Sequence, residues 1–394
     1  MIRIRKYFFL LKRFIQLFNK NFLFNTFINF LFLSSIIFCF TTIVLTTSIN
    51  EGFKKDIQEK IINLDGYARI YSNHSLPLKN SEFTIIKKIL SDEYKNIEYT
   101  QLINSEIILK TSNGSEGVFI NLFDNNGMNV FNLNDFIIEG DFKKDALTIG
   151  SSLAKKLSIN INDDIYLFNH KNNNVRLVKV SAIFETNIAD YDKHTIYADI
   201  DSFKDFLGYS FDAFDCVVIN SKQDNFEVNN IVKNNDFITV TWEDRFSNFL
   251  LWLFSYDIPI KVLLLFIFIV SLLNISSSIY LDLLYNNKNN TLLYIFGLTK
   301  QEFIYMYLFK NVYIYLIGSF LSYILIKIFI YIQLSYDLIS IPKSIYMLSS
   351  VPINFDVNYF IYLFSILLAC IIFITLLFSI LTITFNNPSK LIKK

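Results

Sequence analysis

The sequence predicts an α-helical membrane protein with four transmembrane helices and an α+β extracytoplasmic domain between the first and the second helix. Hydrophobic residues make up 53% of the 394 residues and charged residues only 18%, which is too apolar for an ordinary soluble protein. The apolar residues cluster in long runs with few or no charges, whereas about two hundred residues after the first run carry mixed charges. These two kinds of segment indicate separate membrane and aqueous parts.

The predicted spans are residues 21–50, 260–282, 303–332 and 357–385. A helix rises about 1.5 Å per residue, so each run is long enough to cross the roughly 30 Å hydrocarbon core of a bilayer. The first run is about twice as long as the apolar part of a signal peptide, and no small-x-small cleavage site follows it. We therefore expect it to remain as a span.

Basic residues concentrate in the segments that flank the spans on one side. They are Arg3, Arg5, Lys6, Lys12, Arg13, Lys20, Lys288, Lys300, Lys390, Lys393 and Lys394. By the positive-inside rule, residues 1–20, 283–302 and 386–394 are cytoplasmic, and residues 51–257 and 333–356 lie outside. Apolar residues at helical spacing in 1–20 predict an amphipathic interfacial helix, with a frayed basic tail as the open alternative.

The aqueous segment at 51–257 has a mixed pattern. A stalk helix is predicted to continue from the first span, because Phe53, Ile57, Ile61 and Leu64 recur at helical spacing before Gly66. Strand-like runs lie at 67–71, 97–110, 117–123, 165–168, 175–184, 195–200, 216–220 and 237–242. Helical patterns lie at 82–90, 151–157 and 200–207, and an Asn-rich run at 170–174 predicts a hairpin turn. This mixture predicts an α+β domain.

Motifs that carry catalysis or bind cofactors are missing from the sequence. The ten glycines form no GxxxxGK[ST] phosphate loop, and no GxSxG elbow is present. His74, His170 and His194 have no partner at metal-ligand spacing, and Cys216 lies in an apolar strand-like run where burial is expected. We therefore expect no enzyme activity, no cofactor and no metal, and nothing in the charge pattern favours nucleic acid.

A few polar residues fall within the predicted spans. Lys310 and Lys327 lie near opposite ends of the third span, and we expect their ammonium groups to reach the interface. In the second span, Asn274 with Ser276 and Ser277 favours helix packing through hydrogen bonds, because no carboxylate accompanies these residues. Ion-coupled transport is therefore disfavoured.

Four segments carry motifs that can be compared with a known family. They read SINEGFKKDI at 48–57, IGSSLAKKL with DDIYL at 149–157 and 163–167, KNNTLLYIFGLTK at 288–300 and PSKLI at 388–392. Together they resemble the lipoprotein-releasing permeases of the LolC/LolE type, within the MacB/FtsX superfamily of ABC transporter subunits. The sequence departs from the family pattern at Glu51, at Asp163, where relatives have glycine, and at 289–291, where relatives have charged residues.

The resemblance implies a MacB-like periplasmic core domain at 51–257, an FtsX-like permease domain at 260–394, and a location in the inner membrane. Its implied stalk residues are Asn50, Gly52, Phe53 and Ile57. Its implied ATPase-coupling helix contains Lys288, Thr291, Leu292, Ile295, Phe296 and Gly297. We expect Gly297 to end this helix in a left-handed conformation. The alternative is that 291–296 is only the start of the third span.

The partners that the resemblance implies are a separate cytoplasmic ABC ATPase, a second permease chain (a copy or a paralogue), a lipoprotein substrate, a periplasmic lipoprotein carrier and membrane lipids. Movement of the coupling helix would close the spans and push the lipoprotein outward. The alternatives are an FtsX-like subunit that controls a cell-wall hydrolase, or a MacB-like efflux permease, although the short amino-terminal segment leaves no room for the fused nucleotide-binding domain expected there. A membrane-anchored sensor or scaffold would not explain the segment at 288–300.

Overall fold

The computed structural model of the protein describes residues 23–73, 77–93, 97–221, 236–295, 297–339, 341 and 350–385. The chain divides into two compact units, each built from separate stretches of sequence. The helical unit comprises Met1–Phe53, Phe254–Ile339 and Val351–Lys394. The sheet unit comprises Lys54–Leu253 and Ser340–Ser350.

The sheet unit contains twelve described strands. They are β1 (Ala68–Ser72), β2 (Leu78–Lys79), β3 (Ile97–Thr111), β4 (Gly114–Phe123), β5 (Ile137–Gly140), β6 (Ala146–Gly150), β7 (Asp164–Asn169), β8 (Asn174–Phe184), β9 (Thr195–Asp199), β10 (Ala213–Phe214), β11 (Cys216–Ser221) and β12 (Phe237–Thr241). Ten of them form one mixed sheet in the order β12-β1-β11-β3-β4-β9-β6-β8-β5, with β7 paired to both β3 and β8. The pairs β4–β9 and β6–β8 are parallel, and β2 pairs separately with β10.

The helices of the sheet unit are short, apart from the end of the first helix. The first helix is α1 (Leu23–Asp65), which begins in the helical unit. The others are α2 (Asn80–Glu93), α3 (Gly127–Val130), α4 (Ser151–Leu157), α5 (Ala189–His194), α6 (Ile200–Leu207), α7 (Trp242–Arg245) and α8 (Ser247–Ser255), whose last two residues belong to the helical unit. Alternating apolar residues on β3 and β4, including Ile107, Leu109 and Ile120, pack with α4 and α6 residues such as Leu153 and Phe203 to form the larger core.

Among the described residues, the helical unit contains the amino-terminal part of α1 and four further helices. They are α9 (Asp257–Tyr285), α10 (Asn287–Ile295), α11 (Lys300–Tyr336) and α12 (Val357–Phe385). Its core is built from apolar side chains on all the long helices, such as Ile36, Ile279, Tyr315 and Leu367. At Gly318 a Cβ atom would lie 2.9 Å from the Ile36 Cγ2 atom, so glycine allows α1 and α11 to approach closely.

Four helical stretches of the described chain are long and apolar enough to cross a membrane. They are Phe24–Asp65, Ser247–Tyr285, Lys300–Tyr336 and Val357–Thr384. Each contains most or all of one span predicted from the sequence. The strands lie between the first and second of these stretches in the chain, so the described elements fit the predicted class of four apolar helices with an α+β domain.

The local predictions for residues 51–257 are largely confirmed. All eight strand-like runs overlap observed strands, and the helices at 151–157 and 200–207 match their predicted bounds. The hairpin joins β7 and β8, with Asn173 at a φ of 56°. Strand β6 was missed because ALTIG is short and buried throughout, and helix α5 was missed because ADYDKH has no apolar periodicity. The predicted interfacial helix at 1–20 and the tail at 386–394 lie outside the described residues.

Candidate functional site

The candidate site is a cavity of about 760 Å³ within the helical unit, between α1, α9 and α12. One part of its wall is apolar. Its apolar residues are Ile43, Ile260, Leu264, Leu265, Phe268, Phe355, Leu363 and Ile366. Its polar residues are Thr47, Ser48, Asn50, Glu51, Asp257, Lys261, Asn354 and Asp356, together with the phenol of Tyr359. An amphipathic molecule, apolar at one end and polar at the other, matches such a lining.

Hydrogen bonds hold three chain segments together at the polar end of the cavity. The Asn50 side-chain amide donates to Asp257 Oδ1 over 3.3 Å, which joins α1 to the start of α9. The Asn354 backbone N–H donates to the Ser48 carbonyl oxygen over 2.9 Å, which joins α1 to the segment before α12. The predicted stalk residue Asn50 therefore lies at the mouth of the cavity, and not merely along an extension of a span.

Gly52 lies one helical position beyond this polar end, and the structure explains why it carries no side chain. A Cβ atom at this position would lie 2.8 Å from the Pro352 carbonyl oxygen and 2.9 Å from the Asn354 backbone nitrogen. Both are backbone atoms, which cannot rotate away as a side chain can. Of the other predicted stalk residues, Phe53 is half-buried, and Ile57 is buried within the sheet unit.

The predicted coupling segment forms a helix of its own, α10, so it is not merely the start of the following helix. Gly297 follows it with a φ of +89°, and the Gly297 and Leu298 N–H groups donate to the Tyr294 and Leu293 carbonyl oxygens. Helix α11 then begins at the Thr299 cap, where Thr299 and Glu302 form a capping box. The left-handed helix end predicted at Gly297 is confirmed.

Helix α10 has an exposed face and a buried face. Lys288, Leu292 and Ile295 are exposed and lie four and three positions apart, so they share the outer face. Asn290 is buried on the inner face, and the Thr291 hydroxyl donates to the Asn287 carbonyl oxygen of the same helix over 2.9 Å. Phe296, the remaining residue of the predicted face, lies outside the described residues.

Comparison with known proteins places the chain in a family. The family model described as the MacB-like periplasmic core domain matches residues 29–234, which is more than half of the chain. The chain belongs to the MacB-like periplasmic core domain family. It is also 26% identical over 339 residues to the lipoprotein-releasing system transmembrane protein LolC of Buchnera aphidicola, a match that covers 79% of this chain and 82% of the relative. The resemblance to LolC/MacB-type permeases is therefore confirmed.

Solved structures similar to this MacB-like chain were also found. The periplasmic region of MacB from Actinobacillus actinomycetemcomitans aligns with a TM-score of 0.36 and 13% identity, covering 49% of this chain and 97% of that one. The extracellular domain of the ABC-type transporter YknZ from Gram-positive bacteria aligns with a TM-score of 0.31 and 12% identity, covering 40% and 83%.

The structure corrects the expectation for Lys310 in this MacB-like chain. Its ammonium group does not extend to an interface, because the residue is only 2% exposed and its Nζ lies 2.8 and 2.7 Å from the two Asp282 carboxylate oxygens. The expectation that no carboxylate accompanies the polar residues of the second span was also wrong. Asp282 was overlooked because it is the last residue of the predicted span 260–282 and follows the uncharged residues 262–281, although α9 continues to Tyr285.

The other polar residues of the predicted spans occupy different environments. Lys327 is exposed, and its Nζ lies 4.2 Å from the centroid of the Phe355 ring. Asn274 and Ser277 have exposed side chains, and the Ser276 hydroxyl donates to the Leu272 carbonyl oxygen of its own helix. These three residues therefore form no described hydrogen bond to another helix, and their role in helix packing stays a prediction.

In the sheet unit, charged side chains hold the carboxyl end of α1. The Arg245 guanidinium donates to the Asp65 and Gly66 carbonyl oxygens over 2.9–3.2 Å and also pairs with the Asp65 carboxylate, which Arg69 contacts as well. The Tyr191 hydroxyl donates to the Leu64 carbonyl oxygen over 3.2 Å. Burial lowers the pKa of Arg245, although the neighbouring Asp65 carboxylate opposes this shift. The predicted helix end at Gly66 is confirmed, with a φ of +79°.

Proposed function

We propose that the chain is a permease subunit that extracts lipoproteins from the inner membrane and passes them to a periplasmic carrier, driven by a separate ATPase. The observation that carries this proposal is the cavity of about 760 Å³ between α1, α9 and α12, in a chain of the LolC/MacB type. This volume falls within the roughly 300–1,000 Å³ that is common for sites of small organic groups. Lipid chains attached to a protein fit the apolar lining, and the adjoining peptide fits the polar end.

The proposal places the four apolar helices across the membrane, with both chain ends in the cytoplasm. The sheet unit, which follows the first of these helices in the sequence, is then periplasmic. The basic residues at 1–20, 283–302 and 386–394 support this orientation, because short cytoplasmic segments are enriched in lysine and arginine. The polar end of the cavity, marked by Asn50 and Asp257, then lies toward the periplasm.

The energetic task of such a permease is to keep acyl chains away from water after they leave the bilayer. Exposing a CH₂ group to water costs about 0.8 kcal/mol, so a long chain cannot leave unprotected. Residues such as Leu264, Phe268 and Leu363 replace the lipid contacts that the chain loses. A change in the cavity that is driven by ATP would then expel the chain toward the carrier.

The ATPase would act through α10. Its outer face presents Leu292 and Ile295 beside Lys288, and both apolar side chains are more than half exposed. An apolar helix face of this kind fits a hydrophobic groove on a partner. The exposed Asn274 and Ser277 on α9 would pack against the second permease chain, which is either a copy or a paralogue.

A release assay in proteoliposomes tests the function. The complex of this chain with its ATPase and second permease chain should release a lipoprotein to the carrier only with ATP. Thr47→Trp, which fills the cavity, should abolish release while the ATPase stays bound. Phe38→Trp, on an exposed face of the same helix, should release normally.

Two outcomes of this assay would replace the proposal. If the wild-type complex hydrolyses ATP and activates a peptidoglycan hydrolase without releasing a lipoprotein, an FtsX-like role is indicated. If the complex exports a soluble compound and no lipoprotein competes with that export, a MacB-like efflux role is indicated. Equal release by the Thr47→Trp and Phe38→Trp complexes would show that the cavity is not the substrate path.

A further inference from the structure

Five buried polar side chains lie on α9, α10, α11 and the residue between α9 and α10, apart from the cavity. We call them the polar bracket. They are Asp282, Asn286, Asn290, Tyr307 and Lys310. Each is at most 5% exposed, in a unit whose core is otherwise largely apolar. Buried polar groups are costly unless they are paired, so their arrangement needs a physical explanation.

The first half of the bracket joins α9 to α11. Both carboxylate oxygens of Asp282 accept hydrogen bonds from Lys310 Nζ, at 2.8 and 2.7 Å. The Asn286 side-chain amide, in the residue between α9 and α10, donates to Asp282 Oδ1 and to the Asp282 carbonyl oxygen, each over 3.0 Å. Asp282 is therefore held by the Lys310 ammonium group of α11 and by Asn286, the residue directly before α10.

The second half joins α10 to α11. The Asn290 side-chain amide donates to the Tyr307 hydroxyl over 3.0 Å, and the hydroxyl lies 3.2 Å from Asn290 Oδ1. Asn286 and Asn290 are four positions apart, so they present their amides on the same helix face. The opposite face of α10 carries Leu292 and Ile295. Helix α10 is thus held on its buried face at two positions, Asn286 and Asn290, which are about one turn apart.

An ion pair of this kind is a poor way to gain stability. Desolvation of two buried charges offsets much of their attraction, and apolar residues of similar size often serve a fold equally well. The polar bracket fixes the orientation and position of α10, because hydrogen bonds constrain angles and distances whereas apolar contacts permit sliding. Rotation or axial sliding of α10 would break the Asn290–Tyr307 contact or the Asn286–Asp282 contact.

We propose that the polar bracket is the mechanical link through which a displacement of α10 becomes a displacement of α9 and α11. Its members are positioning residues that touch neither the nucleotide nor the substrate. The inference rests on the proposed function, since that function assigns the outer face of α10 to the ATPase. Asn311 continues the link, because its side-chain amide donates to the Thr375 hydroxyl of α12 over 3.1 Å. The helices that line the cavity would therefore move when α10 is pushed.

The test measures movement of the cavity directly, so it does not depend on the identity of the substrate. A Thr47→Cys reporter is placed in the cavity wall of a Cys370→Ser chain, and maleimide labelling is compared with and without a non-hydrolysable ATP analogue. The natural Cys39 and Cys216 are buried, and burial raises the pKa of the Cys216 thiol to about 11, so neither interferes. The chain is assayed in its complex with the ATPase.

Tyr307→Phe is the mildest variant, since it removes one hydroxyl and keeps the ring. We expect ATPase binding and hydrolysis to persist, while the nucleotide-dependent change in labelling falls at least about fivefold, the lower end of common coupling effects. Tyr305→Phe removes an exposed hydroxyl two positions away and should behave as wild type. A full labelling change in Tyr307→Phe would overturn the proposal.

Lys310→Met tests the ion pair, with Lys327→Met on the same helix as the matched control. Because an unpaired buried Asp282 would harm folding, Asp282→Leu with Lys310→Met removes both charges and keeps an apolar core. This double variant should fold, bind the ATPase and still lose the labelling change. If it moves like wild type, the ion pair does not transmit motion. If it loses ATPase binding as well, the bracket shapes the docking surface and the proposal is wrong.

The wild-type control separates this inference from the proposed function. Nucleotide-dependent labelling in the reporter complex with an unchanged bracket, together with no lipoprotein release, would refute the substrate assignment and leave the bracket fully testable. Release without any labelling change at Thr47→Cys would refute the link and leave the substrate assignment intact.

Discussion

Gly52→Ala should loosen the polar end of the cavity, because no side chain fits between α1 and the segment before α12. The new Cβ atom would lie 2.8 Å from Pro352 O and 2.9 Å from Asn354 N, well inside normal van der Waals separation. Since both are backbone atoms, the two segments must move apart. This movement would stretch the hydrogen bond from Asn354 N to Ser48 O, now 2.9 Å long.

The magnitude follows from three contributions to the free energy of unfolding. Overpacking costs about 1–3 kcal/mol, and a weakened hydrogen bond costs about 0.5–1.5 kcal/mol. Alanine in a helix interior recovers about 0.5–1 kcal/mol relative to glycine. The net destabilisation of the helical unit is therefore about 0.5–4 kcal/mol, and we expect Gly52→Val to be worse because its branched side chain needs more room.

Thermal unfolding of the detergent-solubilised chain measures this effect. A loss in the middle of this range, about 2 kcal/mol, should lower the Tm by several degrees, and release of lipoprotein should fall because the mouth of the cavity is distorted. Gly117→Ala is the matched control, since a Cβ at Gly117 meets nothing within 4 Å. If Gly52→Ala and Gly117→Ala unfold at the same temperature and release equally, close packing at the cavity mouth is unimportant and the reasoning fails.

Three further predictions concern topology, coupling and the sheet unit. A cysteine introduced at Asn172 should react with a membrane-impermeant maleimide in intact spheroplasts, and protection from the reagent would contradict a periplasmic sheet unit. Leu292→Asp should cost about 2 kcal/mol or more of ATPase binding, and Gly297→Val should strain the left-handed helix end, which has a φ of +89°. Both variants should insert normally but lose either the ATPase or release, measured by copurification and by the proteoliposome assay; normal recruitment and release in both would refute the coupling role of α10. Arg245→Met should destabilise the sheet unit by about 2–4 kcal/mol, because it leaves carbonyl groups at the end of α1 without their donor. Lys55→Met, which removes an exposed pair with a neighbouring glutamate, should change the unfolding temperature little, and equal effects of the two substitutions would show that Arg245 is not a cap.

Much of the local structure was accessible from the sequence because it depends on neighbouring residues. The period of apolar residues located the long helices and the strands, and Gly66 and Gly297 marked helix ends that the structure shows with positive φ. The helix at 151–157 was found at its observed bounds because Leu153 and Leu157 recur one turn apart. Local signals of this kind can be interpreted without knowledge of contacts between distant residues.

The cavity and its mouth could be predicted only in part. The motif around Asn50 and Gly52 was recognised, but as part of a stalk, because nothing in the local sequence reveals Asp257 or Pro352 as neighbours. The pairing of Asn50 with Asp257 spans 207 positions of the chain. A contact between residues so far apart leaves no periodic signal in the sequence. The motif could therefore be recognised from the sequence, but the contacts that explain it could not.

Hydropathy along the chain identified the segments that are apolar enough to span a bilayer, and helical spacing placed Leu292 and Ile295 on one face of a helix, where both are exposed. The partners of the buried polar residues, in contrast, became known from the packed helices. Lys310 was expected to reach an interface because a lone lysine in an apolar run must find water, yet folding brings Asp282 to within 2.8 Å of its ammonium group. The cost of burying a charge depends on its partner in space, and a partner on another helix can be known only once the helices are packed.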